Sequence, residues 1–195
     1  TFTREQVELR VDANGAFAPE DAMQRLEALA QYDIHSIEQP IRQHQWKEMA
    51  RLCADSPLPI ALDEELIGVN NPAEKVLLLD TIRPQYIILK PSLHGGMTGT
   101  REWITIARER NIDSWITSAL ESNIGLNAIA QLTADIYGPN ITTPQGLGTG
   151  QLFTDNIPHQ SGTFVTVSEP VLTHHHPKFV VYIRVHSWWC TFCGF

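Results

Sequence analysis

Short apolar runs alternate along the chain with longer stretches in which apolar residues recur every three or four positions. Val7, Leu9 and Val11 alternate with polar residues and run into Asn14-Gly15, which predicts a strand and a turn. Residues 19–32 open on Pro19, Glu20 and Asp21, a helix start, and Ala22, Leu26, Leu29 and Ala30 share one helical face. The unit then repeats. Residues 35–40 predict a short strand ended by Pro40, and Trp46, Met49, Ala50 and Cys53 mark the next helical face. Residues 58–65 predict a third strand, and Asn71-Pro72 starts the helix of residues 71–80. Residues 85–91 predict a strand, followed by a helix carrying Trp103, Ile106, Ala107 and Arg110 on one face. Residues 113–122 predict the fifth strand, residues 124–137 a helix, and residues 143–150 a short sixth strand running into a glycine-rich loop.

Strand–helix alternation at steady spacing predicts parallel strands with helical crossovers. A barrel and a doubly wound sheet both satisfy that pattern, and the charged residues favour the barrel. Asp12, Glu38, Asp63 and Lys90 each fall at the C-terminal end of a different predicted strand, at intervals of 26, 25 and 27 residues. A barrel gathers such ends around one mouth, whereas an open sheet strings them along an edge. The expected fold is therefore α/β, a partial TIM (β/α) barrel. From about Gly162 the pattern changes to strand-like runs, "TFVTV" and "KFVVYIRV", without a helix. The expected organisation is a barrel domain over residues 1–160 and an atypical tail over 161–195.

Three converging carboxylates repel one another in a partly dry site unless one takes up a proton or a cation intervenes. All-oxygen ligands suit Mg²⁺, with Mn²⁺ able to replace it. Asp12, Glu38 and Asp63 are the candidate ligands. Lys90 beside them supplies either a fixed positive charge or a proton-transfer group. For any one of these acids a solvated loop position is the simpler account; four charged residues at four equivalent strand ends favour a common site.

Neighbouring residues are weighed the same way. Asn14 either supports a metal ligand or belongs only to its Asn-Gly turn. Strand alternation points Glu64 away from the interior, and Glu65 is expected to be a solvated loop acid. His94, in "LHGGMTGT", is expected to be a loop histidine without a partner, in a segment whose backbone amides could also hold an anion. "GLGTG" lacks the Lys-Ser/Thr of a phosphate loop. Cys53 fits a small core position. His174 to His176 with Cys190 and Cys193 match no common zinc-finger spacing.

Charge and composition remove whole classes of function. Apolar residues make up 43% of the 195, enough for a folded core. Fourteen basic against 22 acidic residues give a formal net charge of −8, which argues against a nucleic-acid surface. No apolar run is long enough to cross a bilayer, and the polar start "TFTREQVELR" carries no export signal, so the cytoplasm is the expected setting.

The segments "DANG", "IEQP", "LDEE", "YIILKPSLHGG", "ITSALESNIGLNAIAQ" and "QGLGTGQLF" together resemble the enolase superfamily, muconate-lactonizing subgroup, over about residues 7–157. Within it they are most similar to the dehydratases of menaquinone biosynthesis. The resemblance implies strands 3 to 8 of an enolase-type barrel, with Asp12, Glu38 and Asp63 as Mg²⁺ ligands and Lys90 opposite the catalytic base. It implies a small-molecule carboxylate substrate, whose α-proton is removed to give a metal-stabilised enediolate before a hydroxyl leaves. It places Ser118 and Glu121 on the pocket wall, and Gly146 where backbone approaches the distal carboxylate. N-acylamino acid racemases and dipeptide epimerases share these motifs, and a non-catalytic metal-binding domain is a further alternative. The family's Lys-x-Lys base motif occurs nowhere in the 195 residues. The expectation is therefore a fragment lacking the capping domain and first two strands, open at its edges and without full activity.

Overall fold

The structure, a computed structural model, describes residues 7–138 and 141–147 and the strand at 179–184. The residues from 148 to 178, and those after 184, lie outside the description, as do the tail's histidines and its two cysteines. In chain order the elements are β1 (Val7–Asp12), α1 (Pro19–Leu29), β2 (Ser36–Glu38), α2 (Trp46–Asp55), β3 (Ile60–Leu62) and α3 (Pro72–Ile82). They continue as β4 (Tyr86–Leu89), α4 (Gly96–Arg108), β5 (Asp113–Ile116), α5 (Asn123–Tyr137) and β6 (Phe179–Arg184). All strand pairings are parallel, and the spatial order is β5-β4-β3-β2-β1-β6. Strands β1 to β5 curl into a half-barrel.

Local chemistry accounts for the helix starts. Pro72 opens α3, where its missing N–H is not needed, and the Asn71 side chain accepts from the Ala73 N–H at 2.8 Å. The expected apolar faces are buried in part: Ala22 and Leu26 of α1, Met49 and Cys53 of α2, and Trp103, Ile106 and Ala107 of α4 are buried, while Leu29, Ala30, Trp46 and Ala50 are half-buried. Arg110 instead lies beyond the end of α4 and pairs with Asp80 at 2.8 Å.

Strand parity divides the sheet into two faces. Val11, Ile37, Ile60, Leu62, Ile87, Leu89 and Ile116 join the large core against the helices. Ala61, Ile88 and Trp115, with Tyr86, form a separate cluster on the other face, the inside of the curl. Each fully buried aliphatic side chain of the larger core contributes about 1.5–3 kcal/mol relative to exposure.

Several strands are shorter than the sequence suggests. β3 stops at Leu62 because Asp63 leaves the extended region (φ −126°, ψ −78°) and Glu64–Leu66 form a 3₁₀ turn. β5 stops at Ile116. The expected sixth strand at 143–150 is reduced among the described residues to one parallel bridge, Thr117 to Gly146. The β1 edge, expected to be open, is covered: "FVVYIR" forms β6 and pairs with β1 from Val7–Phe179 to Asp12–Arg184. That pairing supplies partners to backbone groups that an edge strand leaves unmatched.

The curl has a side-chain lock. On a flat sheet β1 and β5 would be four spacings, about 19 Å, apart. The Arg10 guanidinium nevertheless lies 3.9 Å from the centroid of the Trp115 ring, so it crosses the hollow of the half-barrel. Both side chains are buried. Glu8 takes the Arg10 charge at 2.8 Å, and His35, Tyr86 and Trp115 stack beside it with centroids 5.1 and 5.3 Å apart. Replacing Arg10 by Ala is expected to lower unfolding free energy by about 2–4 kcal/mol, read from urea denaturation. An unchanged midpoint would show that the curl does not depend on this contact.

Candidate functional site

Asp12, Glu38, Asp63 and Lys90 stand at the C-terminal ends of β1, β2, β3 and β4. Asp12 is the register partner of Glu38, whereas Glu38 faces Ala61, two residues before Asp63, so the ends step along the curled sheet as they converge. Asp12 and Glu38 are buried, Asp63 is fully buried, and Lys90 is 22% exposed. The Lys90 Nζ is in direct contact with Asp63 Oδ2 and lies 3.9 Å from Glu38 Oε1. Burial, then the charges of Asp12 and Asp63, hold the Glu38 carboxyl well above the usual carboxylate range. For Lys90, burial acts to lower the pKa, but Asp63, Glu38 and Glu64 outweigh it and the ammonium is held more tightly than usual.

Two acids beside Asp63 exchange the places expected of them. The 3₁₀ turn breaks strand alternation, so Glu64 reaches the mouth, where its Oε1 accepts from Asn14 Nδ2 at 3.1 Å. Burial and the Asp63 charge raise its pKa. Glu65 is not solvated but buried, accepting from the His44 N–H and from Trp46 Nε1, each at 2.7 Å. Asn14 belongs to its turn and also contacts two acids of the mouth. It sits at positive φ in the turn, its N–H donates to Asp12 Oδ1 at 2.9 Å, and its amide holds Glu64.

Gln39 carries no charge and gave no signal of its own beyond its place after Glu38. It is fully buried, and its Oε1 accepts from the N–H groups of Asp63 (3.2 Å) and Glu65 (3.3 Å). Its amide therefore fixes the bend at which Asp63 leaves β3. His94, expected to be unpartnered, is buried, and its Nδ1 accepts from the Lys90 N–H at 2.8 Å. Arg10 shares the strand face of Asp12, two residues before it, and the sequence pattern did not single it out.

Ser118 and Glu121 meet in the loop after β5. Ser118 Oγ donates to Glu121 Oε2 at 2.5 Å, the Ala119 N–H to the same oxygen at 2.9 Å, and Ser92 Oγ to Glu121 Oε1. Burial opposes ionisation of Glu121, but these hydrogen bonds outweigh it and lower its pKa. Glu121 thus ties the loop after β4 to the loop after β5. Gly146 N–H donates to the Ile116 carbonyl at 2.9 Å and its own carbonyl accepts from Ser118 N–H at 3.0 Å. A Cβ there would meet Thr117 Cγ2 at 2.6 Å, so only glycine allows this close approach to β5.

Parallel strands whose ends gather acids and one lysine are matched by a family model for enolase C-terminal domain-like proteins, over residues 2–170. The chain belongs to this family. The o-succinylbenzoate synthase of Desulfotalea psychrophila is 65% identical over 158 residues, 81% of this chain and 42% of its own. The crystal structure of MenC from Desulfotalea psychrophila matches with TM-score 0.74 and 63% identity, over 80% of this chain and 43% of that one. A dipeptide epimerase from Enterococcus faecalis, solved with Mg and the dipeptide L-Leu-L-Tyr, matches with TM-score 0.58 and 27% identity, over 64% and 35%. The chain spans about two-fifths of the length of the first curated relatives it matches.

Enolase-superfamily enzymes generally use Mg²⁺. As placed, no three His, Cys, Asp or Glu side chains among the described residues are gathered tightly enough to hold a metal ion. The donor chemistry nevertheless fits a hard cation. Every candidate ligand is a carboxylate, and the buried Asp63 Oδ1 has no hydrogen-bond partner among the described residues. The cost of gathering these acids is met here by the Lys90 ammonium and by Glu38's tendency to keep a proton.

Lys90 rests on a histidine whose titration is measurable. Burial, opposed by Asp63 and aided by Lys90 and Lys75, lowers the His94 pKa from 6.5 to about 4. The unfolded chain then binds a proton that the folded chain does not, so stability is full above pH 6.5 and lost as pH falls toward 4. Glu38 acts in the opposite sense, since its raised pKa favours the folded state as pH falls. The readout is therefore a difference: His94→Asn is expected to lose less stability than the unsubstituted chain between neutral pH and pH 4. Equal acid sensitivity in urea unfolding would contradict a neutral buried His94.

Proposed function

We propose that the chain carries the metal-binding and cationic part of an o-succinylbenzoate synthase site, a Mg²⁺-dependent dehydratase of menaquinone biosynthesis working in the cytoplasm. One observation carries this reading: Lys90 Nζ stands against Asp63 and 3.9 Å from Glu38 at the ends of adjacent strands, in a chain 65% identical to a curated synthase. Asp12, Glu38 and Asp63 would hold the cation. When bound, Mg²⁺ polarises the carboxylate of a small-molecule substrate and so acidifies the α-proton.

The chain's own residues divide the remaining work. Lys90, held protonated by Asp63, Glu38 and Glu64, serves as a fixed cation that stabilises negative charge as the α-proton leaves. Lys90 is assigned the cationic role, and the base that the resemblance implies is a Lys-x-Lys motif absent from the 195 residues. Asn14 orients Asp12, and Gln39 orients Asp63, so two ligands are aimed before substrate arrives. Ser118, Glu121 and Gly146 form the wall after β5, with Glu121 already anchored by Ser118 and Ser92. The 65% identity to a curated synthase, against 27% to a dipeptide epimerase, favours dehydration over epimerisation.

The test is a chimera of the Desulfotalea psychrophila synthase whose matching segment is replaced by residues 7–147 of this chain. It is expected to dehydrate to o-succinylbenzoate, and Lys90→Met within it to lower kcat about 10²–10³-fold. Calorimetry is expected to detect Mg²⁺ binding that Asp63→Asn weakens. A folded chimera that epimerises dipeptides or N-succinylamino acids without dehydration would refute the proposal.

A further inference from the structure

We propose that His94 is a positioning residue for Lys90: its imidazole holds the backbone that aims the Lys90 ammonium at Asp63. The functional consequence rests on the site described above; the geometry does not. β4 ends at Leu89, so the Lys90 N–H is the first to leave the strand ladder. His94 Nδ1 takes that N–H at 2.8 Å, while the His94 N–H donates back to the Lys90 carbonyl at 3.1 Å. The Leu93 N–H donates to the same carbonyl at 2.8 Å. Lys90 is thereby gripped on both sides of its Cα by one five-residue turn.

The imidazole is suited to this and costly for anything else. An accepting Nδ1 requires the neutral ring with its proton on Nε2. Burial keeps the ring neutral, as its pKa of about 4 records. Nε2 is buried and has no hydrogen-bond partner among the described residues, a penalty that an apolar residue of similar size would avoid. The seat of the turn is equally specific. A Cβ at Gly99 would fall 2.2 Å from the His94 carbonyl oxygen, so α4 accepts the turn only because residue 99 is glycine. With the backbone of residues 90–94 fixed, the Lys90 side chain leaves its Cα in one direction, toward Asp63 and Glu38.

Nuclear magnetic resonance on the ¹⁵N-labelled chain tests this directly. An N–H···N hydrogen bond transmits scalar coupling between its nitrogens. A coupling between the Lys90 amide and His94 Nδ1 is expected, and its absence from the folded chain overturns the proposal. In His94→Asn the amide oxygen stands where Nδ1 stood, so the Lys90 ammonium signal is expected to stay resolved. In His94→Leu the acceptor is gone and that signal is expected to broaden by exchange with water. A folded Leu variant with an unchanged ammonium signal, or an Asn variant that loses it, overturns the proposal. If the Leu variant does not fold, the coupling and the Asn variant still decide.

In the chimera, His94→Leu is expected to lower kcat about 10- to 100-fold with little change in KM, and His94→Asn to restore it. A loss confined to KM overturns the positioning role. A chimera that dehydrates nothing defeats the functional assignment, while the resonance data still decide the role of His94.

Discussion

Three carboxylates and one ammonium meet in a single partly dry volume at the ends of four adjacent parallel strands, and the rest of the mouth is arranged around that fact. Asp63 is fully buried, so its charge needs a partner close by; Lys90, at the end of the next strand, is that partner. Burial, and then the charges of Asp12 and Asp63, leave Glu38 on the other side inclined to keep a proton. The balance is tight enough that geometry matters at the scale of a single hydrogen bond. That is why uncharged groups recur as braces: Gln39 on the Asp63 backbone, Asn14 on Asp12, and His94 on Lys90.

Much of this was legible because β-strands and βα units impose fixed periods. The spacing of Asp12, Glu38, Asp63 and Lys90 follows from one repeat per strand, and burial of alternate residues gave the helix-facing core. What was not legible depends on contacts that leave the strand or cross the barrel. Glu64 and Glu65 were assigned by alternation, but Asp63 bends the chain into a 3₁₀ turn, which rotates both side chains to new faces. Arg10 read as one of several polar positions in an amphipathic strand. Its partner Trp115 lies more than a hundred residues away across the hollow, and no local pattern records that. His94 sat in a glycine-rich loop that looks solvated. It is buried where its turn packs onto α4, an approach that Gly99 permits.

The two edges of the half-barrel are treated differently. Beside β5, among the described residues, a single bridge through Gly146 is made possible by the missing side chain. Beside β1, β6 pairs along the whole strand, so the strand that ends in Asp12 has neighbours on both sides. Inside the curl, Arg10 and Trp115 draw the distant strands together beneath the acidic mouth. Sheet pairing and the cross-hollow contact therefore act on the same outcome, convergence of the strand ends.

The central claim is that Asp63 and Lys90 act as a unit at that convergence. A double-mutant cycle on unfolding free energy, using Asp63→Asn, Lys90→Met and both together, measures it most directly. A coupling energy of about 1–3 kcal/mol is predicted, with the double variant less destabilised than the sum of the singles. Strictly additive losses would contradict it, and would mean that the two charges share the mouth without depending on each other.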